Sequence, residues 1–400
     1  MTVAELDGDP HPLLARLRAA EPASWLPVIG GWLVTRRDLA ERVLRDPARF
    51  TVDDPRFTTA RVVGPSMLSL DGARHRRHRD PFAGAFRARD VSSGLASFTA
   101  GAAGRLVAAL APAGRAELRR GLAGPLAVAV MAEALGLTQT DPVTLLSWYD
   151  AIVAGVSALT EAAGGPDAGD DGPGKDPISE TGGRPPVPAA AAQAFGALAA
   201  SIEASITGGP QASLLAVAAA TAGLSTAEIV SNAAVMLFGG IETTEGMISN
   251  AAWQLLGDPG QLGEVLADRE LVPGAVEESL RLEPAAAVVD RFATADVQLG
   301  GAPVRAGDLV RVSLSGANRD PAHFPDPDRF DVRRANARQH LAFALGPHYC
   351  VAAHLARLEA TAALSALLAQ LPGLRLDPAR RSAPGGLVFR KPATVHVLWA

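Results

Sequence analysis

The 400-residue sequence contains a single cysteine, Cys350, and this scarcity excludes an internal disulfide. Stability must therefore come from packing, as is usual for proteins of a reducing cytoplasm. Aromatic residues make up only 5% of the chain although hydrophobic residues make up 48%, a composition typical of a soluble globular protein rather than a disordered one. The one thiol is free for chemistry.

Strong net charge and long apolar runs are also lacking. The formal net charge is -5 and the basic clusters are not interleaved with aromatic residues, which argues against a nucleic-acid-binding protein. The first residues contain no basic segment followed by an apolar run, and nowhere do about 18 apolar residues follow one another without interruption. We therefore expect a cytoplasmic protein without a membrane anchor.

Helical periodicity dominates the sequence between residues 90 and 282, where alanine, leucine, valine and glutamate recur at helical spacing. Short β-rich segments are predicted at 25–36, 295–314 and 386–399, where turn residues separate branched apolar runs. Residues 164–188 are rich in glycine, proline and aspartate, and we predict a flexible lid loop there. The sequence predicts a mainly α fold with small β-sheets.

Cys350 lies where a loop marked by glycine and proline turns into an alanine- and leucine-rich helix. In the first turn of a helix, exposed backbone N–H groups and the helix dipole favour the thiolate, which is the form that binds a soft metal. Small residues such as Gly346 and Ala352 would let a large flat ligand approach the backbone closely. Taken alone, however, a solitary cysteine is more often a small buried hydrophobe.

A second unusual segment reads "MLFGGIETTEGMISNAAWQLL". Gly239 and Gly240 interrupt an apolar helical run at a cost of about 1 kcal/mol each relative to alanine, so either a neighbouring helix or a ligand must approach the backbone there. Glu242 and Thr243 place an acid and a hydroxyl in the same apolar helix, where burying polar groups is costly unless they have partners or a task.

Two further motifs contain charged pairs at helical spacing. Glu278 and Arg281, in "AVEESLRLEP", are three residues apart and can pair on one helical face. His75 and Arg79, in "DGARHRRHRDPF", are four residues apart and share another face. By themselves, such pairs are typical of solvated helix surfaces.

Taken in order along the chain, these motifs resemble those of the cytochrome P-450 (haem-thiolate monooxygenase) family in its soluble bacterial form. The spacing Phe343-x-x-Gly346-x-His348-x-Cys350 is similar to the family's haem-binding loop. Ala344 stands where a small polar residue or glycine is common, and Ala352 where glycine is usual. The resemblance covers residues 71–352 and implies one domain over 1–400 that encloses a buried haem b, iron protoporphyrin IX.

The resemblance assigns a role to each motif. Cys350 would be the metal ligand, binding the haem iron through its thiolate. Thr243 would hydrogen-bond dioxygen and Glu242 would relay protons toward it, so these two would be the catalytic residues. The other residues that the resemblance places against the cofactor are His75, Arg79, Arg291 and His348 at the propionates, with Phe343, Gly346 and Gly240.

The resemblance also implies a structural network and a substrate pocket. Glu278, Arg281 and Arg329 would form a buried charge network that holds the haem loop in shape. Asp290, beside the pocket wall, is a possible polar anchor for substrate. The residues implied to line the pocket are Met67, Leu68, Val235, Phe238, Gly239, Val288, Val289 and Val388.

The implied reaction is insertion of one atom of O₂ into an organic substrate, with electrons from NAD(P)H delivered through ferredoxin and ferredoxin reductase. The small and apolar pocket residues favour a mainly apolar secondary metabolite. Outward arginines at Arg76, Arg77 and Arg357 would form a basic surface on which an acidic ferredoxin docks. We expect a monomer that binds neither nucleic acid nor a membrane.

Three other interpretations stay open at this point. The same residues can serve epoxidation, aryl coupling or another oxidative step within the family. A haem-thiolate sensor or carrier would bind its ligand without turnover, and the Glu242–Thr243 pair argues against it. A cysteine–histidine hydrolase could use His340 or His354 as its base, but it would leave the glycine pair without a task.

Overall fold

The computed structural model describes residues 2–163, 186–208, 213–221 and 223–400. Residues 164–185 of the predicted lid loop lie outside the described residues. The prediction of a mainly α fold with small sheets is confirmed. The helices are α1 (Val3–Asp7), α2 (His11–Ala20), α3 (Arg37–Arg45), α4 (Thr58–Val63), α5 (Gly72–Ala83), α6 (Ala88–Gly94), α7 (Ala96–Leu110), α8 (Gly124–Leu135), α9 (Pro142–Ala163), α10 (Ala189–Gly208), α11 (Leu214–Thr221), α12 (Thr226–Gly257), α13 (Pro259–Ala267), α14 (Val272–Leu282), α15 (Leu314–Ala317) and α16 (Ala353–Gln370).

The strands form small sheets beside the helices. The largest sheet has the order β1-β2-β8-β5-β3, with β2 and β8 parallel, and β4, β12 and β9 form a second sheet in which β12 is central. Strands appear within all three predicted β-rich segments, whereas β5 was not predicted. The strands are β1 (Ala23–Leu26), β2 (Gly31–Val34), β3 (Phe50–Thr51), β4 (Arg115–Glu117), β5 (Val288–Ala293), β6 (Val297–Leu299), β7 (Ala302–Val304), β8 (Leu309–Ser313), β9 (Arg375–Leu376), β10 (Pro384–Gly385), β11 (Lys391–Pro392) and β12 (His396–Leu398).

The 32-residue helix α12 lies at the centre of the molecule. It begins after Ser225, whose hydroxyl accepts the backbone N–H of Glu228 while the Glu228 carboxylate accepts the backbone N–H of Ser225 at 2.8 Å, a capping box. Its apolar residues face neighbours on every side, because α8, α10, α14 and α16 all pack against it. A helix that is apolar all round can be stable only when it is enclosed in this way.

Helices α9 and α10 pack against each other and against α12. By length and composition alone, the windows 142–159 and 189–208 are apolar enough to cross a membrane. In this structure they contribute buried residues such as Ile152 and Leu198 to the main hydrophobic cluster, so their apolar character serves the packing of the core.

Candidate active site

The loop that carries Cys350 connects α15 to α16. The backbone N–H of Cys350 donates to the carbonyl of Phe343 at 2.9 Å, which closes the loop on itself. The sequence predicted Cys350 in the first turn of a helix. Helix α16 begins at Ala353, so Cys350 instead lies three residues before the helix. Burial raises the pKa of the Cys350 thiol, while the backbone N–H of Ala352 and the charges of Arg79 and Arg357 act in the opposite direction.

Two residues of this loop have a left-handed backbone. Gly346 has a φ of +71°, and a Cβ atom at this position would lie 2.5 Å from the carbonyl oxygen of Leu44 in α3, so only glycine fits. Ala344 has a φ of 56°, a conformation that glycine adopts more easily than alanine. The geometry gives a physical reason why glycine is common in the family at the position of Ala344.

Asp71 joins the start of α5 to the cysteine loop. One of its carboxylate oxygens lies 2.8 Å from Nε2 of His348, and the other accepts the hydroxyl of Thr51 at 2.6 Å and the backbone N–H of Val52 at 2.9 Å. Burial opposes ionisation, but these hydrogen bonds together lower the pKa of Asp71. The sequence analysis missed this acid because its partners are distant in sequence.

His75 of α5 lies directly against His348, with 4.4 Å between the ring centroids. The ring is buried, and its Nε2 atom has no hydrogen-bond partner in the described structure. Burial, followed by the nearby charges of His348 and Arg79, lowers the pKa of His75 to about 4. A buried ring nitrogen without a partner calls for an explanation, and this one is available to a ligand that bonds beside His348.

Arg79 and Arg291 complete this cluster of donors. Arg79 donates from Nη2 to the backbone carbonyl of Tyr349 at 2.6 Å, next to the cysteine. Arg291 is only 5% exposed, and the one hydrogen bond recorded for its guanidinium goes to the carbonyl of Asp290 at 2.7 Å. Burial lowers the pKa of Arg291 to about 10, and the charge of Asp71 opposes this shift. Three of the residues predicted at the haem propionates, His75, His348 and Arg291, thus lie beside Asp71, and Arg79 lies close enough to the two histidines for its charge to act on both.

The middle of α12 borders an open space. Between Ile229 and Leu256 every residue is buried except Gly239, Gly240, Thr243 and Trp253. Gly239 and Thr243 are four residues apart and share a helical face, so these two partly buried positions form one patch. This patch contains the residues that the sequence analysis placed beside a ligand.

The two glycines of α12 have different surroundings. A Cβ atom at Gly239 would meet nothing within 4 Å, so this residue faces the open space. A Cβ atom at Gly240 would lie 2.6 Å from the sulfur of Met131 in α8, so this glycine permits close packing of two helices. Both explanations considered from the sequence therefore apply, one to each glycine.

Thr243 and Glu242 are adjacent in α12 but have separate partners. The hydroxyl of Thr243 donates to the carbonyl of Gly239 at 2.5 Å. The buried carboxylate of Glu242 accepts the hydroxyl of Tyr149, in α9, and pairs with Nζ of Lys391 at 2.7 Å. Sequence reasoning missed Tyr149 and Lys391, because neither belongs to a local motif.

The Glu278 network consists of Glu278, Arg281 and Arg334. Arg281 is fully buried and pairs with both carboxylate oxygens of Glu278 at 2.7 and 2.8 Å. The third side chain is Arg334, whose Nε lies 2.9 Å from Glu278, and not Arg329 as predicted. Arg329 has an exposed side chain, and only its backbone carbonyl takes part, accepting from Arg281 at 3.1 Å. The chain turns between the two arginines, which directs Arg334 inward.

The predicted pocket segments all lie near α12. The backbone N–H of Met67 donates to the side chain of Asn232 in α12 at 2.8 Å, and Phe238 contacts Phe389 edge to face at 5.7 Å. The carbonyl of Val388 accepts the N–H of Ala287 at 2.8 Å, which brings the last two segments together. Leu68 is half-buried, and Val235 is buried in the main cluster.

Two of the predicted pocket residues, Val288 and Val289, belong to strand β5. Val288 and Val289 are successive residues of a strand, so their side chains point to opposite faces. Val289 packs against the cluster around β2 and α3, so only Val288 can face away from it. Asp290 is engaged by Arg311 through two hydrogen bonds of 2.7 and 2.9 Å, and is not a free anchor for substrate.

The predicted docking surface is only partly free. Arg77 pairs with Glu228 through both guanidinium nitrogens, at 2.7 and 2.8 Å, so this arginine holds α5 to α12 instead. Arg357 pairs with Glu277 at 2.6 Å and lies over the ring of Phe343. Arg76 is exposed.

The histidines considered for a hydrolase do not form a base for Cys350. His340 is buried, and its Nε2 lies 3.1 Å from the carboxylate of Glu277. His354 is exposed on α16. The described structure records no contact between either ring and the thiol, so the hydrolase interpretation has no geometric support.

Comparison with known proteins identifies the class. The sequence profile of the family described as Cytochrome P450 matches residues 263–373. The cytochrome P450 monooxygenase PikC of Streptomyces venezuelae is 37% identical over 398 residues, which cover 95% of this chain and 87% of that protein. The nocardicin C N-oxygenase of Nocardia uniformis subsp. tsuyamanensis is 34% identical, covering 98% of this chain and 97% of that one.

The fold comparison agrees. The solved structure of cytochrome P450 CYP109Q5 from Chondromyces apiculatus has a TM-score of 0.85 at 28% identity, covering 100% of this chain and 98% of that one. The chain belongs to the cytochrome P450 family, whose members are haem-thiolate enzymes that use O₂. It is a monooxygenase, and therefore an oxidoreductase.

Proposed function

We propose that this protein is a haem b monooxygenase of the cytoplasm that inserts one atom of O₂ into a mainly apolar secondary metabolite. The observation that carries the proposal is the group of donors beside the cysteine loop: His75, Arg79, His348 and Arg291 lie close enough for their charges to act on one another or on Asp71. Four donors in one place, one of them with an unpartnered buried nitrogen, suit an anionic ligand, and the two propionates of a haem would be that ligand.

The residues present fit this cofactor. Cys350 would ligate the iron, and His75, whose Nε2 has no partner, would hydrogen-bond a propionate with Arg79, Arg291 and His348. Phe343 and Gly346 would shape the loop that holds the cofactor, since they fix its closure and its contact with α3. When bound, a thiolate-ligated haem supplies the activation of O₂.

On the opposite side, Thr243 and Glu242 would handle protons. A hydroxyl has one proton to donate and two lone pairs. Because Thr243 donates its proton to Gly239, its lone pairs are free to accept a hydrogen bond from a ligand. Glu242 would hold and release a proton at its carboxylate, one residue away. Gly240 would act indirectly, by setting how closely α12 packs on α8.

The substrate pocket would lie against the open patch of α12. Its predicted lining includes Met67, Leu68, Phe238, Gly239 and Val388, which are apolar or small. Since Arg311 occupies Asp290, no carboxylate is offered to a cationic substrate there. The N-oxygenase among the relatives supports a secondary metabolite as substrate and shows that the family also oxidises atoms other than carbon.

Electrons would come from NAD(P)H through ferredoxin reductase and ferredoxin. A surface cavity of about 280 Å³ lies next to the cysteine loop and is lined by Arg37, Arg45, Arg338 and Arg357, with Tyr349. Four arginines and one acid, Glu41, line this cavity, so the surface is basic on balance and would attract an acidic ferredoxin. A monomeric state stays a prediction.

Absorption spectra of the purified protein, ferric and then reduced under carbon monoxide, test the proposal. We expect a strongly red-shifted carbon monoxide band in the wild type that is absent in Cys350→Ser, because serine cannot supply a thiolate. His354→Ala, on the exposed face of the adjoining helix, is the matched control and should keep the band. A wild-type protein that incorporates no haem would overturn the proposal.

A further inference from the structure

Lys391 lies between two buried acids of α12. Its Nζ atom is 2.7 Å from Oε1 of Glu242 and 2.6 Å from Oε2 of Glu245. The two acids are three residues apart, so they share a helical face and would repel each other without a cation between them. The side chains of both acids are almost fully buried, at 6% and 1% exposure. Lys391 reaches them from β11.

The choice of lysine at this position is unusual for the chain. Of 37 basic residues only Lys175 and Lys391 are lysines, and the rest are arginines. An ammonium group is a compact charge with three donors that can point in different directions, whereas a guanidinium is a planar fork that fits one carboxylate best. A cation that is shared by two carboxylates on one helix therefore suits lysine better than arginine.

The contacts continue from Glu245 toward the surface. Arg119 and Arg120 lie in a π-helical turn before α8, with Nε of Arg119 at 3.1 Å and Nη1 of Arg120 at 3.7 Å from Glu245. Arg120 is 45% exposed and also contacts Asp150 in α9 at 3.2 Å. We call these residues, from Glu242 through Lys391 and Glu245 to Arg119 and Arg120, the Glu242 network.

This network is incompletely hydrogen-bonded. Oε1 of Glu245 and Nε of Arg119 are buried and have no hydrogen-bond partner in the described structure, although both lie in ion-pair range. Unsatisfied polar atoms are costly, and a network that keeps them has alternative arrangements available. The Glu245 end of the network therefore has hydrogen-bonding capacity that its present contacts do not use.

We propose that Lys391 is a positioning residue for proton delivery in this monooxygenase. It fixes the Glu242 carboxylate beside Thr243 and connects it, through Glu245, to the exposed Arg120. The inference rests on the proposed function, because Glu242 needs a supply of protons only if O₂ is reduced nearby. No group in this chain other than Lys391 and Tyr149 is recorded as holding that carboxylate among the described residues.

The stoichiometry of the reaction shows what Lys391 would affect. Productive turnover converts substrate, O₂, two electrons and two protons into hydroxylated product and water. Unproductive turnover converts O₂, two electrons and two protons into hydrogen peroxide. Both use two protons, so the outcome depends on where the protons are delivered. A displaced Glu242 carboxylate shifts turnover toward peroxide.

A first test needs no turnover. Because the chain has two lysines, a sample with ¹⁵N-labelled lysine gives two Nζ signals, assigned with Lys391→Arg. In the purified holoenzyme we expect slow proton exchange at Lys391 and a change of its signal in Glu242→Gln and in Glu245→Gln. A Lys391 signal that exchanges as fast as that of free lysine in water and ignores both substitutions would overturn the proposal.

A second test measures coupling. In Lys391→Met, which keeps the apolar stem, we expect the product formed per NAD(P)H oxidised to fall by about tenfold with a matching rise in peroxide. Substrate affinity from the spin-state shift should stay unchanged. Lys391→Arg should recover part of the coupling, and in a Glu242→Gln background Lys391→Met should add little, since the two act on one step.

The outcomes separate this inference from the proposed function. Normal coupling in Lys391→Met, with an intact thiolate spectrum, would refute the role of Lys391 and leave the monooxygenase assignment in place. Loss of the thiolate spectrum in the wild type would refute the assignment itself. If Lys391→Met fails to fold, Lys391→Arg and Glu245→Gln carry the same measurements, and wild-type coupling in both would count against the proposal.

Discussion

The Glu278 network and the Glu242 network are both buried groups of ion pairs, but they are completed to different degrees. Arg281 uses its guanidinium donors on Glu278 and on the carbonyls of Asn318, Pro327 and Arg329. No buried side-chain atom of Glu278, Arg281 or Arg334 lacks a hydrogen-bond partner in the described structure. In the Glu242 network, by contrast, one carboxylate oxygen and one guanidinium nitrogen remain without hydrogen bonds.

This difference separates architecture from function. A fully hydrogen-bonded network in a dry interior has one favourable arrangement and makes its surroundings rigid. Such rigidity suits the Glu278 network, which joins α14 to the segment before the cysteine loop. A partly bonded network can rearrange at low cost, and rearrangement is what proton delivery requires. The degree of hydrogen bonding is therefore a better guide to function here than burial alone.

The largest loss of stability is expected when Arg334 is removed from the Glu278 network. Arg334→Ala removes one cation from buried Glu278 and also the donors to the carbonyls of Pro325 and Asp326. We expect a loss of about 3 to 5 kcal/mol in the free energy of unfolding, measured by denaturant titration, together with reduced haem content.

Arg329→Ala is the matched control for this prediction. Its side chain is exposed, so we expect the free energy of unfolding to change by no more than about 0.5 kcal/mol. Equal losses in the two variants would mean that the side chain of Arg329 belongs to the network after all.

A pH titration sharpens the comparison at Glu277, the buried neighbour of Glu278 that pairs with His340 and Arg357. Burial opposes its ionisation, but hydrogen bonds from His340 and Arg357 lower its pKa from 4.5 to about 2. A lowered acid pKa stabilises the fold above pH 4.5, and this stability is lost as the pH falls toward 2. The loss is at most about 3 kcal/mol.

The measurement is the slope of the free energy of unfolding against pH below 4.5. Glu277→Gln removes the titrating group and should flatten that slope. Glu228→Gln is a useful reference, because Glu228 also has a pKa lowered to about 2 but is more exposed, so its contribution is screened. A Glu277→Gln slope as steep as the wild type's would contradict the prediction.

The smallest effect concerns the helix that carries the Glu242 network. Gly240→Ala places a methyl group against Met131, and we expect it to destabilise the fold by about 1 kcal/mol after the gain in helix propensity. Gly239→Ala meets nothing and should stabilise by up to about 1 kcal/mol while weakening substrate binding. Thermal unfolding of the two variants checks this, and shifts of the same sign would contradict it.

The sequence analysis predicted what depends on short spacing. Glu278 and Arg281 pair because residues three apart on a helix meet, and the four donors at the predicted propionate site are brought together as the motifs indicated. The mainly helical architecture and the three β-rich segments followed from periodicity. The ion pair and the helical periodicity are encoded within a few residues or within one element, whereas the four donors come from separate elements and were grouped only by the family resemblance.

The errors and omissions involve partners that are far apart in the chain. The choice of Arg334 over Arg329 depends on how the loop after Pro327 turns, and Arg77 meets Glu228 only once α5 lies on α12. Lys391 and Tyr149 reach Glu242 from two other elements. The local sequence does not show that these side chains are paired and not exposed to solvent. The rarity of lysine in the chain is the one local signal, and it concerns Lys391.

Enclosure of α12 has a consequence for the way the protein folds. Between Ile229 and Leu256 the helix has almost no residue that water would solvate in the native state. Until α8, α10, α14 and α16 have docked, this apolar surface is exposed, and folding intermediates with such surfaces aggregate. Slow or incomplete docking of any of these four helices therefore favours aggregation of the whole chain. The helix on which catalysis depends is also where the nascent protein is most vulnerable.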